Sequence, residues 1–211
     1  MKKGLVIVLG LAAGLVGLVL LVLLWGVGAN NKIVRFSQGV DAQWAQVQNV
    51  YQRRADLIPN LVNTVKGAAT FEKSTLESVV QARASVGQVK IDPNRAPNDP
   101  KQLQQFQAAQ DQLSSALSRL LVVVEKYPDL RANQNFVALQ AQLEGTENRV
   151  AKERRDFNEK VREYNTYIQQ VPATFVASFR NYRPKPYFEA TAGSERPPQV
   201  QFDFNNNGTN R

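Results

Sequence analysis

An uninterrupted apolar segment at residues 5–27 constrains the fold of this 211-residue chain more than any other feature. The segment carries no charged side chain, and a helix of this length would extend about 34 Å at ~1.5 Å per residue. That exceeds the ~30 Å thickness of the hydrocarbon core of a bilayer. We therefore predict a transmembrane anchor within residues 1–31, with an interfacial aromatic residue near its end. We take four residues to represent this anchor: Leu5, Leu15, Leu24 and Trp25.

A cleaved secretory signal peptide is the alternative interpretation of this segment. The small residues that end at Ala29 resemble a cleavage site, but the apolar run is much longer than the ~7–15 residues of a signal sequence. Lys2, Lys3 and the amino terminus precede the run, and Lys32 and Arg35 follow it. Because basic flanks tend to stay in the cytoplasm, we expect the rest of the chain on the periplasmic or extracytoplasmic side.

The composition excludes several classes of chemistry. Cysteine and histidine are both absent, which excludes disulfides, thiol nucleophiles, Ser-His-Asp triads and the commonest metal ligands. We expect no enzyme activity, no catalytic residue, no cofactor and no bound metal. The formal net charge is +8, but the basic residues are interspersed with acidic ones and form no basic stripe with aromatic residues. We therefore expect no nucleic-acid partner, whereas attraction to anionic lipids is compatible with an anchored chain.

Residues 32–188 have the pattern of an all-α domain. Apolar residues recur at spacings of three and four in three successive segments, with the near-heptad period of a coiled coil. Asp99 and Asn133 are predicted to cap the second and third helices, and Pro172 is predicted to follow the end of the third. This pattern predicts an elongated antiparallel bundle of three to four long helices behind the transmembrane anchor.

Pro59 lies inside the first of these segments and leaves two arrangements open. A proline lacks the N–H group and should kink or restart the helix, so a break there would give a closed four-helix bundle. If the helix does not break, its first half would instead form a stalk. Such a stalk would expose an apolar stripe and favour a homo-oligomer. The stripe consists of Val40, Trp44, Val47 and Tyr51.

Arg53, Arg54, Asp56 and Pro59 form the first candidate interaction site. They could present a docking surface at a helix irregularity. The alternative is architectural, with Pro59 setting a kink while neighbouring apolar residues pack in the core.

The aromatic and basic stretch at residues 175–188 forms the second candidate site, represented by Phe175, Phe179 and Arg183. It could lie on the membrane, bind a partner, or cap one end of the bundle.

The third candidate lies in the tail at residues 189–211, whose Pro, Gly and Asn content predicts disorder. Val200, Phe202 and Phe204 alternate with polar residues and could form a short docking segment, either for a groove of the bundle itself or for a partner.

Charged residues of the bundle could also form a polar cluster, and a carboxylate pair can bind a hard cation or act as an acid and a base. Because no nucleophile or third ligand accompanies them, we expect ordinary surface salt bridges. The residues concerned are Glu125, Asp129, Glu144, Glu147, Arg131 and Arg149.

Two blocks of sequence resemble the signature of the LemA family. The first is Trp44 followed by YQRRADLIPNLV at residues 51–62, and the second joins EKYPDL at residues 125–130 to LEGTENR at residues 143–149. The resemblance implies a single-pass protein of the bacterial inner (cell) membrane with a helical bundle and no established biochemical activity. Magnetosome-associated members of the family suggest membrane organisation, and genes beside membrane metalloproteases suggest quality control.

The expected function is that of a non-enzymatic, membrane-anchored scaffold or adaptor. Its expected partners are the lipid bilayer, a further copy of the chain and an unidentified membrane protein. The alternative is an accessory subunit of a membrane protease or of an envelope quality-control complex.

Overall fold

The computed structural model describes residues 2–67 and 72–189, leaving aside the side chains of residues 2, 3 and 5–8. No strand occurs within these described ranges, and the predicted all-α class is confirmed. Six helices follow one another in this part of the chain: α1 Lys2–Lys66, α2 Lys73–Gln88, α3 Pro100–Val124, α4 Pro128–Arg131, α5 Gln134–Gln169 and α6 Ala173–Phe179.

Helix α1 joins the apolar N-terminal segment to the bundle without interruption. Leu15, Leu24 and Trp25 are exposed, as expected of side chains that face lipid. The side chain of Leu5 lies outside the described part. From Ala29 and Ile33 onward one side of the same helix is buried against the bundle. Helix α1 is the one described helix that is long and apolar enough to cross a membrane.

Helix α1 also continues past Pro59, which is exposed, and ends at Lys66. The predicted restart of the helix at this proline is therefore wrong. A proline inside a helix costs ~3 kcal/mol or more. Burying each large apolar side chain recovers about 1.5–3 kcal/mol, and four such side chains surround Pro59 on the inner face. They are Ile58, Leu61, Val62 and Val65.

Helices α1, α2, α3 and α5 run alternately up and down and close a four-helix bundle. Helix α1 packs mainly on α5, and α2 packs mainly on α3. The predicted stalk is wrong, because α5 and its neighbours bury the apolar stripe from Val40 to Tyr51 within the chain itself. The homo-oligomer was expected because this stripe would be exposed, and that reason no longer applies.

The predicted helix caps are confirmed. The carboxylate of Asp99 accepts a hydrogen bond from the Lys101 amide, and the side chain of Asn133 accepts from the amides of Asn135 and Phe136. At the end of α6, Asn181 adopts a left-handed conformation with φ 57°. The Asn181 and Tyr182 amides then donate to carbonyls of the last turn, which terminates the helix.

Two hydrophobic clusters form the core. The cluster nearer the anchor surrounds Trp44, whose ring centroid lies 5.5 Å from that of Phe106 and 5.6 Å from that of Phe157. The indole N–H of Trp44 donates to the carbonyl of Asp92, 3.0 Å away. The second cluster includes Leu117 and lies farther along the bundle.

Replacing Trp44 with alanine should lower the free energy of unfolding by ~3–5 kcal/mol, and Leu117→Ala should cost ~2–5 kcal/mol, because each leaves a cavity in a packed core. Chemical unfolding of the full chain in detergent, followed by circular dichroism, measures both effects. Val137→Ala, on the exposed side of α5, is the control and should change stability little. Wild-type stability in both core variants would contradict the assigned core.

Candidate functional site

A layer of polar side chains crosses the bundle between the two hydrophobic clusters. Arg54 supplies its centre from α1 and is 1% exposed. Along α1 it lies between Tyr51 of one cluster and Ile58 of the other. A buried arginine must be paired and hydrogen-bonded, because an isolated charge in an apolar core is very costly.

The guanidinium group of Arg54 connects three helices. Its Nη1 donates to Ser114 Oγ at 2.7 Å and to Glu147 Oε2 at 2.8 Å. Its Nη2 donates to the carbonyl and to the side-chain oxygen of Gln110. Ser114 Oγ in turn donates to Glu147 Oε1 at 3.0 Å. Helices α1, α3 and α5 are therefore held in one register at this level.

A second polar group adjoins this layer. Arg154 donates to the Tyr51 hydroxyl and forms an ion pair with Asp111, with an N–O distance of 2.9 Å. Burial raises the pKa of Tyr51 to about 12, although Arg154 and Arg54 act to lower it. Tyr51 therefore remains a neutral hydrogen-bonding group across the physiological pH range.

The hydrogen bonds and ion pairs of the polar layer position α1, α3 and α5 relative to one another. Its carboxylates are paired with arginines, and within residues 2–67 and 72–189 no three acidic side chains are grouped so that they could hold a metal ion. The polar cluster considered from the sequence is not assembled. Glu147 pairs with Arg54, Glu125 pairs with Arg131, and Glu144 accepts from Gln140.

The structure separates the residues of the first predicted interaction site. Arg53, Asp56 and Pro59 are exposed, and Asp56 accepts a hydrogen bond from the Gln52 side chain at 2.8 Å. Arg54 points into the core, so its predicted presentation to a partner is wrong. The helical period explains the difference, since adjacent residues on a helix lie about 100° apart.

The segment that follows α6 binds to the bundle as an extended strap, which we define as residues 182–189. Three side-chain amides each hold one residue of the strap through both its N–H and its C=O. Asn165 holds Lys185 at 2.8 and 2.9 Å, and Asn158 holds Phe188 at 2.8 and 2.9 Å. Gln107 of α3 holds Glu189 at 3.1 and 2.9 Å.

Charge and apolar contacts reinforce the strap. The ammonium group of Lys185 is buried and lies 3.4 Å from the carboxylate of Asp41. Phe188 inserts into the core, with its ring centroid 5.3 Å from that of Phe157. The sequence reasoning missed the clamping amides, although Asn165 and Gln107 fall at buried helix positions, where a polar residue usually has a specific partner.

A groove of about 1280 Å³ between α3 and α5 begins where the described part of the strap ends, at Glu189. Small and polar side chains line it, including Ser115 and Ser118 of α3 and Ala151 and Arg154 of α5. Farther from the anchor the groove leads into a more apolar hollow of about 180 Å³ that includes Leu117, Leu121 and Leu143. The groove therefore continues the path of the strap along the bundle.

Helix α6 lies beside the C-terminal end of the apolar segment of α1. It buries Ala173 and Ala177 and leaves Phe175 and Phe179 exposed. Helix α6 packs on α1 and α5, and the two phenylalanines point away from these contacts. Arg183 is also exposed, while its carbonyl accepts from the Tyr164 hydroxyl at 3.1 Å.

The tail segment with Val200, Phe202 and Phe204 lies outside the described residues, as does the predicted disorder of the tail. Its docking to a groove of the bundle stays a prediction.

A family model described as LemA family matches residues 43–202. The chain belongs to the LemA family. It is also similar to the magnetosome protein MamQ of Magnetospirillum gryphiswaldense, with 24% identity over 81% of this chain and 69% of the relative. MamQ 1 and MamQ 2 of Paramagnetospirillum magneticum are each 24% identical over 79% of this chain and 67% of the relative. Protein LemA of Metamycoplasma hominis is 22% identical over 67% of this chain and 60% of that protein.

The two LemA blocks meet at the polar layer, because the first contains Arg54 and the second contains Glu147. The two blocks that resemble the LemA signature therefore supply the ion pair that joins α1 to α5. This contact favours the architectural interpretation of the first block.

Removing Glu147 should destabilise the bundle more than replacing Arg54 and Gln110 with apolar residues of similar length. Glu147→Ala leaves the buried guanidinium without its carboxylate and should cost ~1–3 kcal/mol. Arg54→Met combined with Gln110→Met removes the buried charge together with the buried side chain that accepts from it, and the half-exposed Glu147 can then be hydrated, so the cost should be smaller. Glu144→Ala is the matched surface control on α5. Equal costs for Glu147→Ala and Glu144→Ala in denaturant unfolding would contradict this role of the layer.

Proposed function

We propose that this LemA-family protein is a non-enzymatic, membrane-anchored adaptor whose α3–α5 groove receives an extended segment of a partner protein. The strap is the observation that carries this proposal. The bundle already holds one extended chain by amide clamps and an aromatic anchor, and the groove continues the same path beyond it. Extended-chain recognition combines hydrogen bonds with pockets for side chains. The groove is lined by polar side chains, including Ser118 and Asn148, and the hollow beyond it by Leu117, Leu121 and Leu143.

Helix α1 supports the anchored part of the proposal. Ala29 is 6% exposed and Ile33 is fully buried, so the packed bundle begins immediately at the end of the apolar segment. The apolar segment is longer than the ~7–15 residues of a signal sequence and continues directly into a packed helix, which supports a retained anchor over a signal peptide. An adaptor fixed in this way presents its groove at a defined height above the membrane.

The names of the relatives agree with a role in organising a membrane. MamQ is named a magnetosome protein in two species. The polar groups of the bundle fit this role better than catalysis, because Arg54 and Arg154 form ion pairs that join helices and Lys185 forms one that joins the strap to α1.

A photo-crosslinking amino acid at Ser118, in the full chain and in native membranes, tests the groove. We expect a discrete adduct in which the captured residues map to one extended segment of the partner. The same amino acid at Val80, an exposed position on α2, is the matched control and should give none. Ser115→Trp should block the groove and weaken the adduct at Ser118, whereas Val137→Trp should not.

The identity of the captured protein distinguishes an adaptor from an accessory subunit of a membrane protease. A membrane protein held by an extended segment, or a second copy of this chain, supports the adaptor. Repeated capture of a membrane protease would instead assign the accessory-subunit function. A crosslink from Ser118 only to the same chain's own tail, or no adduct above the level at Val80, would remove the partner from the groove.

We also propose that the bundle lies on the periplasmic or extracytoplasmic side of the bacterial inner membrane, because Lys2, Lys3 and the amino terminus outweigh Lys32 and Arg35. The absence of cysteine makes this testable with single-cysteine variants. A membrane-impermeant maleimide should label Val137→Cys in intact spheroplasts and should label Lys3→Cys only after lysis. Labelling in the opposite order would invert the topology.

A further inference from the structure

Helix α6 exposes an apolar surface that the bundle leaves uncovered. Phe179 is 90% exposed, Val171 is 76% exposed and Phe175 is 68% exposed. Ala173 and Ala177 on the other side of α6 are buried. Large side chains therefore point away from the domain while small ones attach the helix to it. This is the reverse of the arrangement expected for a helix that only caps a core.

The position of this surface along α1 indicates what covers it. Phe175 and Phe179 line a groove of about 450 Å³ whose other wall is the stretch from Val22 to Val27. That stretch is the last part of the apolar segment, and about 20 apolar residues suffice to cross the hydrocarbon core. When the segment spans a bilayer, α6 is therefore at the level of the membrane surface.

The charges around α6 have one sign. On α1, Lys32 and Arg35 are the charged residues between the apolar segment and Asp41, and no acidic residue occurs between Glu163 and Glu189. Arg180 and Arg183 are exposed. Tyr182, at the start of the strap that follows α6, connects this region to α1, since its hydroxyl donates to Asn30 Oδ1 at 3.1 Å. Exposed phenylalanines thus adjoin cationic side chains at the same level.

We propose that α6 is a second membrane contact, in which Phe175 and Phe179 enter the interface of the bilayer while Arg180 and Arg183 bind anionic lipid head groups. This inference goes beyond the adaptor function, although it rests on the proposed anchorage of α1. Apolar insertion and basic residues together produce binding to anionic surfaces. The two contacts, α1 and α6, fix the tilt and rotation of the bundle relative to the membrane.

Depth-dependent fluorescence quenching tests this proposal in the full chain reconstituted into nanodiscs. Ser178→Cys, which carries the fluorophore, lies on the exposed side of α6 one turn from Phe175. We expect lipids with a nitroxide near the head group to quench it strongly. Leu15→Cys, near the middle of the apolar segment, is the positive control for membrane insertion and is tested with lipids that carry the nitroxide deep in the acyl chain. Val80→Cys on the distal part of the bundle is the negative control for both kinds of lipid.

The phenylalanines should account for the quenching. Phe175→Ser with Phe179→Ser should reduce quenching at Ser178→Cys to nearly the level at Val80→Cys. The matched pair Val122→Ser with Val137→Ser, which removes exposed valines from the bundle, should leave it unchanged. Strong quenching at Leu15→Cys with none at Ser178→Cys would overturn the proposal while leaving the anchor intact.

Lipid composition tests the head-group contact. Quenching at Ser178→Cys should rise about twofold when phosphatidylglycerol replaces a third of the phosphatidylcholine, since a basic patch is attracted to an anionic surface. Arg180→Gln with Arg183→Gln should reduce this dependence to the part that Lys32 and Arg35 supply, whereas Arg53→Gln with Arg119→Gln, two exposed arginines elsewhere on the bundle, should preserve it in full. Equal quenching in both lipid compositions would overturn the assignment of anionic head groups.

Discussion

The continuity of helix α1 is the constraint on which the rest of the structure depends. One uninterrupted helix, Lys2–Lys66, contributes both the apolar segment and one wall of the bundle. A hydrogen-bonded helix of this kind transmits its direction, because a sharp kink requires a break in its ladder of backbone bonds, and the proline of α1, Pro59, lies far from the apolar segment. The other helices therefore pack on a helix whose N-terminal part has the length and composition of a membrane span.

Burial on the inner side of α1 explains why this helix survives Pro59 and why no stalk forms. Helix α5 extends along α1, and the side chains between Ile33 and Val65 are divided between two hydrophobic clusters. The Arg54 layer interrupts these clusters at one level. Apolar side chains alone would tolerate sliding by one turn, whereas a buried arginine has partners in only one register. The layer therefore selects the register, and the clusters supply most of the stability.

The strap and α6 are associated with two different surfaces of the bundle, the α3–α5 groove and the exposed phenylalanines near the apolar segment. The strap follows the bundle away from the anchor and leads to the α3–α5 groove, while α6 turns its phenylalanines towards the level at which the apolar segment ends. The amides of Asn158 and Asn165 hold the strap against α5, so one hydrogen-bonded segment joins the groove to the basic, aromatic surface. In the proposed adaptor, an arrangement of this kind couples the position of a partner to the position of the membrane.

Periodicity, capping and apolar length are local properties, so the amino-acid sequence correctly predicted an N-terminal helix long and apolar enough to span a membrane, the all-α class, the caps at Asp99 and Asn133 and most of the core. It also indicated that the LemA blocks matter. Three outcomes became evident only from the packing of the helices: α1 passes Pro59, Arg54 points inward to Glu147, and Phe175 and Phe179 point outward beside Val22 and Leu23. These outcomes depend on which distant residues cover each face of a helix, and a pattern along one segment does not contain that information.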